Sequence, residues 1–290
     1  MSSFATSDTK RALSESQQSA LVKLLADDDA AIYQQIRAQI LSYGPQSCEW
    51  LRPHCFSSDP VIRRRVKAIV NYFSRQDSDN SFLAFCLNQG EDLDLEAGVW
   101  SLAKTEFPEI SCPGYQAILD GYAAALLEQI DFGDSPERML ATINQYLFTE
   151  IGFAGNEQDY YDPDNSYFNR VIDRRTGNPV SLCLVYLFVG RRLGLPIAGI
   201  GMPGHFLVRF QSSAGDLFLD AFNRGKLLSK ADCVKYLIHT SHGFQESFLA
   251  PITPRRTLLR ICSNLHQIYS QRDATEQVAR FLRYIVALAK

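Results

Sequence analysis

The 290-residue sequence contains no apolar run of the length that a membrane-spanning helix requires, which is about 20 residues. Its first residues, MSSFATSDTKRALSESQQ, are polar and lack the apolar core of a secretory signal peptide. We therefore predict a cytoplasmic protein. A composition of 46% hydrophobic and 21% charged residues is typical of a globular domain rather than of a disordered or fibrous chain.

The sequence also lacks cysteine pairs at metal-ligand spacing and an excess of positive charge. Its seven cysteines are scattered and odd in number, which favours neither a disulfide framework nor a zinc site. His239 and His242 have no acidic or cysteine partners nearby in sequence, and we interpret them as part of a surface loop. A net charge of -3 argues against a nucleic-acid partner. We therefore expect no metal, no cofactor, no nucleic acid and no membrane partner.

Helical patterns alternate with short polar breaks over residues 1–110. The segments DDDAAIYQQI, SSDPVIRRRV and EDLDLEAGVW each open with acidic or hydroxyl residues that can cap a helix. Their return after 30 and then 34 residues favours stacked, HEAT-like helix pairs. An ordinary helical bundle explains the same pattern equally well.

A loop-rich stretch and a strongly apolar helix follow in the middle of the chain. The stretch GFAGNEQDYYDPDNSYFNRVIDRRTGNP is dense in turn-forming residues and predicts an ordered loop with at most one short helix. In the next helix Asn178 can act as the cap, Pro179 suits the first turn and Gly194 ends the helix. Because Val180 and all residues from Leu182 to Val189 are apolar and cover every side, we expect this helix to be surrounded by protein.

Three short strands are predicted in PIAGIGM, HFLVRF and LFLDAF, the last two joined as a hairpin. If Phe210 pairs with Gly215, His205 lies directly across from Asp220. The glycines of GIGMPG do not form a dinucleotide-binding loop, because a strand rather than a helix follows them. We expect them to make the turn that presents His205.

Cys183, His205 and Asp220 are the residue types of a thiol-dependent catalytic site, in which an imidazole accepts the thiol proton and a carboxylate orients the imidazole. Cys183, however, lies four residues beyond Pro179, where the helix N–H groups are already used within the helix. We expect its thiol to be buried, with a raised pKa. Ser181 is an alternative nucleophile, although hydrogen bonding to nearby backbone is its ordinary role in a first turn.

The segment YYDPDNSYFNRVIDRRTGNPVSLCLVYLFVGRRLGLPIAGIGMPGHFLVRF, with LFLDAFNRGKLLS behind it, resembles the bacterial SirB-type transglutaminase-like proteins. A related domain occurs in a eukaryotic F-box protein. The resemblance covers residues 145–235 and implies a central helix packed on a small antiparallel sheet. His205 and Asp220 take the places of the superfamily's histidine and aspartate, and RLGLPIA matches the end of its helix. The position of the nucleophile falls on Pro179, so the resemblance implies that the nucleophile is missing.

We therefore predict an α+β, mostly helical fold in three parts. A HEAT-like helical region covers residues 1–110, a transglutaminase-like core covers 111–250, and a helical hairpin similar to a tetratricopeptide unit covers 251–290. The two helices of the hairpin join near Arg272 and Asp273. We expect this hairpin to close the core.

The favoured function is a non-catalytic binding or regulatory protein that recognises a peptide or protein partner on a degenerate scaffold. His205 and Asp220 then form either part of a binding cleft or a brace between two strands. The alternatives are a cysteine-dependent acyltransferase or peptidase and a structural partner with a vestigial cleft. Arg174 and Arg175 belong to the set given next, but their presence is explained equally well by a solvent-exposed helix end. The residues expected to line a cleft are Asn165, Asn169, Arg174, Arg175, Asn178, Ser181 and Asn223.

Overall fold

A computed structural model describes residues 13–212, 215–239 and 243–290 of the chain. The chain divides into two compact units, residues 1–79 and residues 80–290. The first unit contains α1 (Glu15–Leu24), α2 (Ala30–Tyr43), α3 (Ser47–Leu51) and the start of α4 (Pro60–Asn88). Its core is apolar and consists mainly of Leu21, Val22, Leu25, Ile40, Leu51, Val66, Ile69 and Phe73.

Acidic caps start the helices that the sequence predicts in this part of the chain. Backbone N–H groups of the first turn donate to Asp29, Asp59 and Asp94 at 2.7, 2.8 and 3.0 Å. These three predicted helix starts are confirmed. The second of them opens one continuous helix of 29 residues. The HEAT-like pairing and the boundaries at residues 110 and 250 stay predictions.

The second unit is mostly helical and contains an antiparallel sheet of four strands that pair in chain order. The α+β, mostly helical fold class is thereby confirmed. Its helices are α5 (Leu95–Glu106), α6 (Cys112–Leu127), α7 (Pro136–Asn144), α8 (Phe168–Arg174), α9 (Pro179–Arg192), α10 (Lys230–His239), α11 (Pro254–Gln271) and α12 (Thr275–Leu288). Its strands are β1 (Ala154–Gly155), β2 (Thr176–Gly177), β3 (Ile197–Ile200), β4 (Leu207–Ser212), β5 (Gly215–Asp220) and β6 (Lys226–Leu228).

Helix α10, strand β6 and the β1–β2 pair were not predicted from the sequence. His239, interpreted as part of a surface loop, is the last residue of α10, and His242 lies outside the described residues. Strand β6 adds a fourth strand to the sheet, beside β5. Strands β1 and β2 form a short parallel pair that joins the two ends of the loop-rich stretch. These strands are too short to produce the alternation of apolar and polar residues by which strands are recognised.

Helix α9 is the centre of the second unit. Eleven of its 14 residues are buried, and it packs against α6, α8, β3 and β4. The sheet contributes Val208, Phe210 and Leu219 to the core around α9, and Phe206, just before β4, adds a further side chain. Each such apolar side chain stabilises the fold by about 1.5–3 kcal/mol relative to exposure. The predicted apolar helix surrounded by protein is therefore confirmed.

The register of the β4–β5 hairpin differs from the prediction. Phe210 pairs with Leu217, and Gly215 pairs with Ser212 instead. Pairing continues through polar residues that the sequence pattern assigns to the connection, so the prediction was wrong by two residues. Because side chains alternate with a period of two along a strand, this shift leaves every residue on its predicted face.

The C-terminal helices α11 and α12 form the predicted antiparallel pair, and their apolar residues belong to the core of the second unit. Tyr269 stacks on Phe281 with ring centroids 5.6 Å apart. The buried Arg255 donates to the carbonyl oxygens of Cys86 and Ala287 at 3.0 and 2.7 Å. The hairpin is thus held by both apolar packing and hydrogen bonds.

Across the described ranges, no helix combines the length and the apolarity needed to span a membrane.

Candidate functional site

The N-terminus of α9 is fixed by a reciprocal cap. Asn178 Oδ1 accepts the Ser181 N–H, and Ser181 Oγ accepts the Asn178 N–H, both at 3.0 Å. Ser181 Oγ donates in turn to the Asn165 carbonyl oxygen at 2.7 Å. A Cβ on Gly177 would lie 2.4 Å from this hydroxyl, so glycine is required there. Pro179 therefore occupies the first position of the helix. The Ser181 hydroxyl is bonded to backbone groups, as is usual for a serine in a first turn.

Cys183 lies inside the core rather than at the helix mouth. Its exposed fraction is 0%, and its Sγ is 3.5 Å from the Phe206 carbonyl oxygen. Burial, together with the nearby negative charge of Asp220, raises the pKa of the thiol well above its ordinary value. The expected buried position of this cysteine is confirmed. At neutral pH the side chain is therefore a thiol and not a thiolate.

His205 and Asp220 are in direct contact. His205 Nε2 is 2.9 Å from Asp220 Oδ2, and Asn223 Nδ2 donates to the same oxygen at 2.7 Å. Burial alone would raise the pKa of Asp220, but the hydrogen bonds from His205 and Asn223 outweigh burial and lower it below the ordinary value. Asp220 is therefore an ionised acceptor, and Nε2 of His205 carries a proton. In the neutral ring Nδ1 is then left as an acceptor.

The position of the His205 ring is set by its neighbours. Gly204 adopts a φ of +74°, and the His205 N–H donates to the Met202 carbonyl oxygen at 3.2 Å. This is the turn that the sequence predicts before the histidine. The ring meets Phe222 edge-on at 6.4 Å and Tyr236 at 6.0 Å between centroids. His205 precedes β4 and Asp220 ends β5, so the contact forms at the end of the hairpin in spite of the changed register.

A cavity of about 200 Å³ opens between the mouth of α9 and the His205 ring. We call it the His205 cavity. It brings together four parts of the chain: the loop before α8, the start of α9, the turn before β4 and one face of α11. Among the residues that the structure describes, none of those lining the cavity is acidic; they are Tyr160, Tyr161, Asn178, Pro179, Val180, Gly204, His205, Arg260, Asn264, Gln267 and Ile268.

Of the seven residues expected to line a cleft, Asn178 alone is among those that line the His205 cavity. Asn165 is buried and organises the loop before α8, because its Nδ2 donates to the Asp159 carbonyl oxygen at 2.8 Å. Ser181 serves the cap of α9. Asn169 is buried, and its Oδ1 has no hydrogen-bond partner within the described residues.

The remaining three lie on another part of the surface. Arg174 pairs with Asp162 at 2.6 Å, and Arg175 is exposed with a φ of 54° just after α8. Asn223 holds Asp220 in place. Arg174 and Asn223 line a second, wider cavity of about 610 Å³. The two arginines therefore match the helix-end interpretation better than a role beside His205.

The sequence interpretation missed the contribution of α11 to the cavity. Arg260, Asn264 and Gln267 are spaced at i, i+4 and i+7, which places them on one face of this helix. That spacing was visible in the sequence, but nothing in it relates this face to a histidine more than fifty residues earlier. Tyr160 and Tyr161 were noticeable only as aromatic residues in a polar loop.

Comparison with known proteins places this site in a family context. A family model described as the transglutaminase-like superfamily matches residues 114–263, which include Pro179, His205 and Asp220. A UPF0162 protein of Xylella fastidiosa strain Temecula1 is 35% identical over 205 residues, or 68% of this chain and 73% of that protein. A UPF0162 protein of Pseudomonas aeruginosa is 29% identical over 189 residues, or 64% of this chain and 68% of that protein.

A eukaryotic protein shares part of the same region. F-box only protein 21 of Mus musculus is 35% identical over 154 residues, which are 50% of this chain and 24% of that protein. No solved structure matches the chain.

Proposed function

The chain belongs to the transglutaminase-like superfamily and to the UPF0162 family, and from this premise we propose that it is a non-catalytic binding protein. Its His205 cavity recognises a peptide or protein partner, in a regulatory role and in the cytoplasm. The closer relationship to SirB-type proteins, with a tetratricopeptide-like C-terminal hairpin, is part of the same proposal.

The arrangement at the mouth of α9 carries the proposal. A reactive thiol needs the N–H groups and the dipole of a helix N-terminus to lower its pKa. Pro179 occupies that position and has no nucleophilic atom, while Cys183 is buried and Ser181 is engaged in the cap. This supports a binding function over a cysteine-dependent acyltransferase or peptidase that uses Cys183, His205 and Asp220.

The state of His205 supports recognition rather than bracing alone. Its side chain keeps 14% of its surface exposed and lines the cavity, while Asp220 holds one ring nitrogen. If His205 and Asp220 only braced the two strands, the His205 ring would not need to face a cavity. The cavity adds amide and phenol groups from α11 and from the loop before α8, which can bind a peptide backbone.

A peptide library displayed on phage and selected on the purified protein tests this proposal. The variant Gln267→Trp fills the His205 cavity from its rim, whereas the control Gln271→Trp lies one turn further along α11, outside the cavity. We expect enriched peptides that bind the wild type and Gln271→Trp but not Gln267→Trp, and whose masses do not change on incubation. Equal binding to both variants would contradict a role for the cavity, and cleaved or cross-linked peptides would establish catalysis.

A further inference from the structure

We propose that the His205 cavity recognises a carboxylate group and that Arg260 is its charged partner. This inference rests on the proposed binding function and names the chemistry of its ligand. It is carried by the residues that line the cavity, by the state of Arg260 and by the donors at the start of α9.

Among the described lining residues Arg260 supplies a positive charge, while the nearby Asp220 carboxylate is already bound by His205 and Asn223. The chain has 32 acidic and 29 basic residues, yet the lining contributed by the described residues contains Arg260 and His205 and no aspartate or glutamate. The other polar lining groups are neutral amides and phenols, which can donate hydrogen bonds. Such a lining attracts an anion and disfavours a cation.

The Arg260 guanidinium is held by a backbone carbonyl oxygen rather than by a carboxylate of the described residues. It is half-buried, and its recorded hydrogen bond is a long one, 3.5 Å from Nη1 to the Met202 carbonyl oxygen. Arg174 and Arg192, in contrast, reach carboxylates at 2.6 Å. In the described part of the chain no carboxylate pairs with Arg260. A guanidinium can bind a carboxylate through two parallel hydrogen bonds, and this one still has donors for such a ligand.

The start of α9 adds a donor of the same kind. The cap uses the N–H groups of Asn178 and Ser181, and Pro179 has none. The cap does not use the Val180 N–H, which is therefore the remaining backbone donor of the first turn. Val180 also lines the cavity. The positive end of the helix dipole therefore faces the same space as Arg260.

The size and the apolar lining restrict what carries the carboxylate. About 200 Å³ is less than the roughly 300–1,000 Å³ of pockets for drug-sized ligands. Pro179, Val180 and Ile268 provide an apolar wall. The space suits one small apolar residue with its carboxylate, and the same group can come from a peptide C-terminus, an acidic side chain or a small organic acid.

Titration of the full chain with N-acetylvaline and, as a matched neutral compound, N-acetylvalinamide tests the inference. Binding is followed by the NMR signals of the His205 ring, assigned with His205→Gln among the five histidines. We expect the acid to bind at least about tenfold more tightly than the amide, as a charge-assisted pair requires. Arg260→Gln removes this preference. The control Arg256→Gln, on the exposed face one turn earlier in α11, retains it.

Two further compounds identify the source of the carboxylate. The α-amide of N-acetylaspartate, which keeps only the side-chain acid, represents an acidic side chain, and succinate represents a small organic acid; the tightest of the three classes names the source. Equal binding of acid and amide, or a preference that survives Arg260→Gln, overturns the carboxylate inference. If the peptides selected from the library still bind through the cavity in that case, the binding function stands and the inference alone is wrong.

Discussion

The two ends of α9 use charge in opposite ways. At the C-terminal end, Glu96 is only 3% exposed at its side chain and is bound by Arg191 at 2.6 Å and Arg192 at 2.9 Å. Arg192 also pairs with Asp120 at 2.6 Å. At the N-terminal end, Arg260 borders a cavity whose described lining contains no acidic residue, while His205 is paired with Asp220. Removing one partner of a buried ion pair destabilises the fold, whereas a charge left without its counterpart at a cavity is available to a ligand.

The largest expected effect comes from returning a thiol to the helix mouth. In Pro179→Cys the new thiol lies at the N-terminus of α9 beside His205, where the dipole and the imidazole lower its pKa. We expect iodoacetamide to label the introduced thiol at least about a hundredfold faster than Cys183 at neutral pH, since two pKa units correspond to that factor. Peptide mapping by mass spectrometry of the native protein measures both rates. Rapid labelling of Cys183 in the wild type would refute its assignment to the core.

The second prediction breaks the paired end of the helix. Glu96→Gln leaves Arg192 without its buried counter-charge and should lower the free energy of unfolding by about 3 kcal/mol. Because Arg191 is 58% exposed, the loss stays at the lower end of the range for buried pairs. Urea denaturation measures it, with Asp120→Asn as a control. The Asp120 side chain is 66% exposed, so we expect less than about 1 kcal/mol there. Equal losses in both variants would show that burial of Glu96 is unimportant.

The smallest expected effect concerns the hydrogen bonds of Asp220, near the N-terminal end of α9. Asp220→Asn weakens the charge-assisted bonds from His205 and Asn223 and should lower the free energy of unfolding by about 1–3 kcal/mol at neutral pH. Hydrogen bonds lower the pKa of Asp220 in the folded state. The ionised carboxylate therefore adds to the free energy of unfolding above the ordinary aspartate pKa, about 3.9, and this addition is lost as the pH falls through the lower pKa of the folded state. Urea denaturation between pH 7 and pH 2 should show wild type and variant converging below about pH 4. A difference that is constant over this range would contradict the lowered pKa.

The helices of this protein could be predicted from the sequence wherever their ends depend on neighbouring residues. Asp29 caps α2, Asn178 caps α9 and Gly194 follows the end of α9, because capping hydrogen bonds and glycine conformations involve residues a few positions apart. The strand register was harder. Phe210 pairs with Leu217 rather than Gly215 because the pairing extends into polar residues that a hydrophobic pattern does not mark.

The candidate site was predictable only in part. His205 lies just before β4 and Asp220 ends β5 of the same hairpin, so a short-range argument could bring them together. The contribution of Arg260, Asn264 and Gln267 could not be obtained in that way, because α11 reaches the cavity only through its packing in the core. Asn165 and Ser181 were expected at a cleft because they are polar. They are instead buried, and their side chains donate hydrogen bonds to backbone carbonyl oxygens.

The sequence by itself determined where α9 begins and that an imino acid, not a thiol, stands at its mouth, since proline and its asparagine cap act through local geometry. It also determined that Cys183 lies on a helix that is apolar all round and must be buried. Only the tertiary structure decided that Arg260 faces this mouth without a carboxylate partner in the described chain, and that the Glu96 carboxylate is occupied at the opposite end. Which charges meet depends on the packing of distant helices, and no local pattern encodes it.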